Sequence, residues 1–219
     1  MTNEHQEKFS IQEDKPADWF EPLYAGSNTE GDGVPWANMD THPSFKRWLQ
    51  RNPLTGNSKK ALVVGCGMGD DAIELERLGF QVTAFDVSDT AIKLCKERFP
   101  QSKVNFVAAD LLLSQEQWHK GFDFVLEIYT VQALPPKYED LLIANIASFV
   151  ANSGQLLVVA EVSKADREFV NGPPWLLTPS HIDSFVSNDL SLVNTDIEED
   201  STAQDDAKTY VSLFKAVVG

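Results

Sequence analysis

Residues 63–72 read "VVGCGMGDDA", with glycines at alternate positions 65, 67 and 69 between an apolar run and a helix-like pattern. A strand that passes through a glycine turn into a helix leaves free backbone N–H groups, and the positive end of a helix dipole, at the carboxyl end of a sheet. Such a turn suits a ligand, and side chains at Gly65, Gly67 or Gly69 would block it. As a lone motif it is weak; its meaning depends on the elements around it.

Those elements alternate. Residues 60–65, 81–86, 104–110, 122–129 and 154–162 are short β-rich runs. Between them lie amphipathic segments at 71–80 and 88–99, a short capped helix at 114–118 and a proline-started helix at 136–151. Near-continuous apolar strands separated by helices predict a parallel sheet covered on both faces. After residue 163 come the Pro-rich loop "GPPWLLT", a helix over 179–189 that begins with Thr178 and Pro179, and two strand-like runs at 190–197 and 208–218 with no helix between them. The expected fold is therefore α/β and Rossmann-like: a doubly wound, mostly parallel seven-stranded sheet with a C-terminal antiparallel hairpin. Residues 1–55 lack strand rhythm but hold Trp19, Phe20, Tyr24, Trp36, Phe45 and Trp48, and read as an aromatic helical and loop lid. The whole reads as one domain, with a cofactor-binding core at 56–165 and the helix and hairpin at 166–219.

Composition narrows the ligand. The chain has 219 residues and carries 33 acidic against 18 basic side chains, a net charge of −15, which repels polyanions such as nucleic acid and anionic membrane surfaces. Its apolar runs are too short for a membrane span and its first residues lack an apolar signal core, so it reads as cytoplasmic. Cys66 and Cys95 read as small packing residues, and His5, His42, His119 and His181 show no metal spacing, so no metal site is expected.

The dinucleotide fingerprint would place its third glycine one position later than Gly69 and bring a pyrophosphate to the helix start. Here the helix opens with Asp70 and Asp71, a poor reception for a pyrophosphate but a fair one for an ammonium and a sulfonium. Either carboxylate also reads more plainly as a favourable charge in a first helical turn. Asp86 ends the second strand, where it can accept hydrogen bonds from ribose hydroxyls; Asp110 ends the third and Glu127 the fourth.

These residues, in this order, resemble the class I S-adenosylmethionine-dependent methyltransferases over about 60–219. Within that superfamily "GCG", "GDGVPWANMD" at 31–40 and "GPPW" at 172–175 look like the thiopurine and thiol S-methyltransferase branch. Val63 stands where most of the superfamily has an acidic residue.

The resemblance implies S-adenosyl-L-methionine as cofactor and S-adenosyl-L-homocysteine as product. The donor would lie across Gly65, Gly67, Gly69 and Asp71, its ribose on Asp86 and its adenine near Val87, Asp110 and Leu111, with Trp36 and Glu127 near the methionine end. Tyr129, Gln132 and Trp175 would face a small-molecule acceptor, and Asp40, His42 and Tyr129 are candidate bases; Trp19 and Trp48 read as packing. The acceptor atom, sulfur, oxygen or nitrogen, stays open, as does the oligomeric state. Two competing readings are a non-catalytic binder of the same cofactor with a regulatory role and, less well supported, a nicotinamide-dependent oxidoreductase, for which no hydride-site motif is found.

Overall fold

The computed structural model describes residues 11–165, 172–199 and 207–217. Among the described residues two helices precede the sheet, α1 (Phe20–Ala25) and α2 (Pro43–Arg51). Then β1 (Lys60–Val64), α3 (Asp70–Arg77), β2 (Gln81–Asp86), α4 (Asp89–Arg98), β3 (Asn105–Ala108) and β4 (Phe122–Ile128) alternate. The chain continues through α5 (Glu139–Ser148), β5 (Val150–Val162), α6 (Pro179–Ser184), β6 (Leu190–Glu199) and β7 (Lys208–Ala216).

The seven strands form one sheet in the order β3-β2-β1-β4-β5-β7-β6. The β1, β2, β3, β4 and β5 pairings are parallel, and β7 enters antiparallel between β5 and β6. The mostly parallel sheet and the antiparallel hairpin agree with the sequence. The elements differ from expectation mainly at their ends. Pro136–Tyr138 forms a 3-10 turn before α5, β5 starts at Val150 rather than 154, and the segment 114–118 closes as a 3-10 turn at Glu116–Trp118. The helix expected over 179–189 stops at Ser184 and gives way to a 3-10 turn at Val186–Asn188. The acidic connection between β6 and β7 lies, at 200–206, outside the described residues.

Alternation along each strand divides the core in two. One face packs Leu62, Val64, Val125, Val158 and Phe214 against Leu142 and Ile146 of α5. The other packs Val63, Leu126 and Val159 against Phe45 and Trp48 of α2, Leu75 of α3 and Cys95 of α4. Helix α2 is also tied to the hairpin: Arg47 pairs with Glu198 of β6, Arg51 with Asp196 and Glu198, and Ser44 Oγ donates to Glu198 at 2.7 Å.

Strand order reverses between β1 and β4, so the loops that follow them diverge and open a crevice at their carboxyl ends. The glycine turn sits at that point. Among the described residues no helix is long and apolar enough to cross a membrane.

Candidate active site

At the carboxyl rim of the sheet lies a cavity of about 470 Å³. Its base is the glycine turn. Gly65, Gly67 and Gly69 have φ of 58°, 52° and 88°, the left-handed region that a side chain strains. The structure corrects part of the reason for them. A Cβ on Gly65 would stand 2.5 Å from Thr130 Oγ1, and one on Gly69 2.9 Å from Cys95 Sγ, so these two glycines make room for the protein itself. A Cβ on Gly67 would lie 3.1 Å from the Tyr24 hydroxyl and 3.7 Å from Trp36 Nε1, where the lid closes over the turn.

The carboxylates at the turn have separate tasks. Asp86 lines the cavity and accepts from the N–H groups of Gly67 and Ser88, both at 3.0 Å, while burial raises its pKa. Asp70 is held in a two-pronged pair with Arg98 at 2.7 and 2.8 Å, and Arg98 also donates to the Met68 carbonyl. That pairing gives Asp70 a structural role. Asp71 lines the cavity and accepts from the His42 N–H at 2.8 Å; burial pushes its pKa up to about 7. Asp110, also at the cavity, accepts from Leu112 N–H at 2.8 Å across a turn, beside lining residues Val87 and Leu111.

The N-terminal segment forms the roof. Trp36 is 39% exposed, donates from Nε1 to the Tyr24 hydroxyl at 3.0 Å, and meets Trp19, Phe20 and Tyr24 edge to face. Trp19, read from sequence as packing, is buried but lines the cavity, together with Phe20 and Tyr24. Sequence reasoning assigned no site role to Phe20 or Tyr24, although "WFEPLY" carries the aromatic signal for both. Glu21 fastens this segment to the start of α4 by accepting from Ser88 and Thr90. Those bonds outweigh the opposing effect of burial and lower its pKa.

Beyond β4 the chain turns back on itself. Tyr129 takes a left-handed φ of 59° and lines the cavity with its ring 5.2 Å from that of His42, edge to face. Burial raises its phenol to about 12, against a hydrogen bond with Thr209 that lowers it. His42 caps α2 and is pushed down to about 4, first by burial and then by Arg47. Gln132 is buried, accepts from Glu161 N–H at 2.8 Å, and shares the wall with Glu161, Pro173 and Pro174. Asp40 stands at the rim, paired with Lys46 at 2.8 Å, which lowers its pKa.

Two expected residues lie elsewhere. Trp175, 1% exposed, packs with Ile11 and Trp19 and is absent from the cavity lining; its N–H donates to the Gln132 carbonyl at 2.7 Å. Glu127, also 1% exposed, lies behind the wall. Among the described residues, no cluster of His, Cys, Asp or Glu could hold a metal ion.

Known proteins share this fold. Residues 61–154 match a family model described as a methyltransferase domain. The chain is 25% identical over 107 residues to the probable S-adenosyl-L-methionine-dependent methyltransferase TehB of Haemophilus influenzae, a match that covers 49% of this chain and 37% of that protein. Among solved structures, one concerned with converting a disulfide bond into a thioacetal group during echinomycin biosynthesis aligns with a TM-score of 0.71 and 19% identity, over 93% of this chain and 94% of the other. The 1,6-didemethyltoxoflavin-N1-methyltransferase of Burkholderia thailandensis, solved with bound 1,6-didemethyltoxoflavin and S-adenosylhomocysteine, aligns with a TM-score of 0.67 and 15% identity, over 90% and 87%. At these identities the structural matches define the fold.

The residues matched by the methyltransferase-domain model make up less than half of the chain, which spans only 37% of the length of the TehB relative it matches.

Proposed function

We propose that this protein transfers a methyl group from S-adenosylmethionine to a small molecule held between the glycine turn and the β4 and β5 ends. The observation that carries this reading is the continuous roofed cavity. It runs from Val87 and Asp110, past Gly67, to Tyr129, Gln132 and Glu161.

The cofactor, when bound, supplies a methyl group activated on a sulfonium. The chain's own task is to align the acceptor and exclude water, and orientation of this kind is worth several kcal/mol. Gly65, Gly67 and Gly69 let the donor lie against backbone, Asp86 receives the ribose hydroxyls, and Trp36 with Tyr24 covers the methionine end. Asp110, Val87 and Leu111 border the adenine.

The tuning of the candidate bases bears on the acceptor. Tyr129 keeps its proton at neutral pH and acts as a donor; His42, with a pKa near 4, is a weak base, and the ion pair with Lys46 weakens Asp40. An acceptor that needs little help losing a proton fits this wall, and a thiol is the simplest such group. The resemblance of "GCG" and "GPPW" to thiol S-methyltransferases points the same way. A small heteroaromatic acceptor like that of the toxoflavin enzyme is the alternative to screen beside it.

The test is calorimetric titration of the wild type and Asp86→Ala with S-adenosylmethionine, S-adenosylhomocysteine and NAD(H), followed by a screen of thiol, oxygen and nitrogen acceptors with labelled donor. Micromolar binding of the first two, weakened at least tenfold in Asp86→Ala, together with turnover of one acceptor class, is the expected outcome. Binding of NAD(H) alone would overturn the reading. Donor binding without turnover of any acceptor would favour a regulatory binder.

A further inference from the structure

Glu127 is a buried carboxylate with no place in the cavity wall. Its register partners on either side are Val64 of β1 and Val158 of β5, and all three sit on the apolar face that α5 covers. A carboxyl group in such a place is costly unless it is used. One oxygen, Oε1, accepts from the N–H of Thr130 at 2.7 Å and from that of Val131 at 3.1 Å. The other, Oε2, is buried with no hydrogen-bond partner.

The two N–H groups belong to the turn that leaves β4 for the cavity. Within that turn Tyr129 is forced to a positive φ, Thr130 Oγ1 donates to the Val64 carbonyl at 3.1 Å and closes on Gly65, and Val131–Ala133 forms one 3-10 turn. A non-glycine residue in left-handed backbone costs on the order of 1–3 kcal/mol and persists only where its surroundings over-determine it. Charge-assisted hydrogen bonds from the next two N–H groups provide such a hold.

We propose that Glu127 is a positioning residue of the acceptor side, its carboxylate clamping residues 128–132 in the shape that presents Tyr129 and Gln132 to the cavity. The inference rests on the reading of this wall as the acceptor end. Glu127 acts through the turn and touches neither donor nor acceptor.

The clamp has a pH dependence, because the carboxylate is the stronger acceptor. Burial pushes Glu127 up to about 7, against the lowering effect of its two backbone bonds. On the turn, Tyr129 is the titratable side chain coupled to it, and Glu161 of β5 and Glu198 of β6 act on Tyr129 in turn. On the covering helix the charged groups are Glu139 and Asp140, and Glu139 contacts His181 of α6 at 3.1 Å.

The experiment is a nitrogen-15 NMR titration from pH 5.5 to 8.5 on the full chain, following the backbone amides of Thr130 and Val131 and the side-chain amide of Gln132. In the wild type all three are expected to move with one shared midpoint near neutral pH. In Glu127→Gln they should stay flat, and in His181→Asn the midpoint should persist. Amides that do not titrate, or that titrate equally in Glu127→Gln, overturn the proposal; if Glu127→Gln does not fold, loss of the midpoint in His181→Asn does the same. The readout needs no donor or acceptor, so it fails or succeeds independently of the S-adenosylhomocysteine titration that tests the function.

Discussion

The backbone N–H of His42 donates to Asp71 Oδ1 at 2.8 Å, joining the N-terminal roof to the first turn of the helix that follows the glycines. One residue earlier, Asp70 turns the other way to Arg98. Two adjacent carboxylates thus hold the glycine turn from opposite sides, one through the lid and one through α4.

Arg98 and Asp70 are a mostly buried pair, with side chains 10% and 17% exposed. Removing one partner strands the other, which typically costs about 3–5 kcal/mol when burial is complete. Arg98→Met should lower stability by about 3 kcal/mol on that scale and weaken S-adenosylhomocysteine binding. Arg98→Met with Asp70→Asn should recover part of the stability. Denaturant melts on the double-mutant cycle check this; strict additivity would mean the pair is not coupled.

Gly67→Ala places a methyl group 3.1 Å from the Tyr24 hydroxyl in backbone that already strains a side chain. The lid must yield, so S-adenosylhomocysteine affinity should fall at least tenfold while the melting temperature falls modestly. Gly65→Ala meets Thr130 at 2.5 Å and should instead destabilise the fold by roughly 1–3 kcal/mol. Calorimetry and thermal melts on the two variants separate the effects.

Glu21 joins α1 to Ser88 and Thr90, directly beyond Asp86. Glu21→Ala should loosen the roof without disturbing the sheet. Limited chymotrypsin digestion should then cut after Tyr24 several-fold faster, and bound S-adenosylhomocysteine should restore protection. Equal cleavage of variant and wild type would show that Glu21 is not the fastening.

Glu127 and Asp71 are both raised to about 7, from ordinary values of 4.5 and 3.8. The unfolded chain gives up these protons near pH 4, whereas the folded chain keeps them until about pH 7. Folding therefore binds protons between those limits, and stability falls as pH rises through that window. Glu127→Gln should remove up to about 3 kcal/mol of this decline, since each tenfold change in proton affinity is worth roughly 1.4 kcal/mol. Denaturant melts at pH 5 and pH 8 should show a smaller difference for Glu127→Gln than for wild type.

Apolar periodicity made the strands and helices readable, because each strand of a doubly covered sheet must be apolar on both faces. Element ends were less readable: Tyr138 and Glu139 continue the same pattern, yet the chain tightens to a 3-10 turn before α5. Trp175 shows what residue type leaves open. Its place in "GPPW" suggested a ligand-facing ring, but the ring is buried against Ile11 and Trp19, partners that no local pattern announces.

By itself the sequence determined the order of strands and helices, the glycine turn and the acidic residues at the strand ends, since these depend on local periodicity and on glycine's freedom at positive φ. Tertiary structure alone decided what each acidic residue does. Asp70, Asp71, Asp86 and Glu127 are the same kind of group along the chain, but Arg98, the His42 N–H, the glycine turn and the Tyr129 turn give them four different tasks. The reason is physical: a carboxylate's role is set by the donors and the burial around it, and those come from segments distant in sequence.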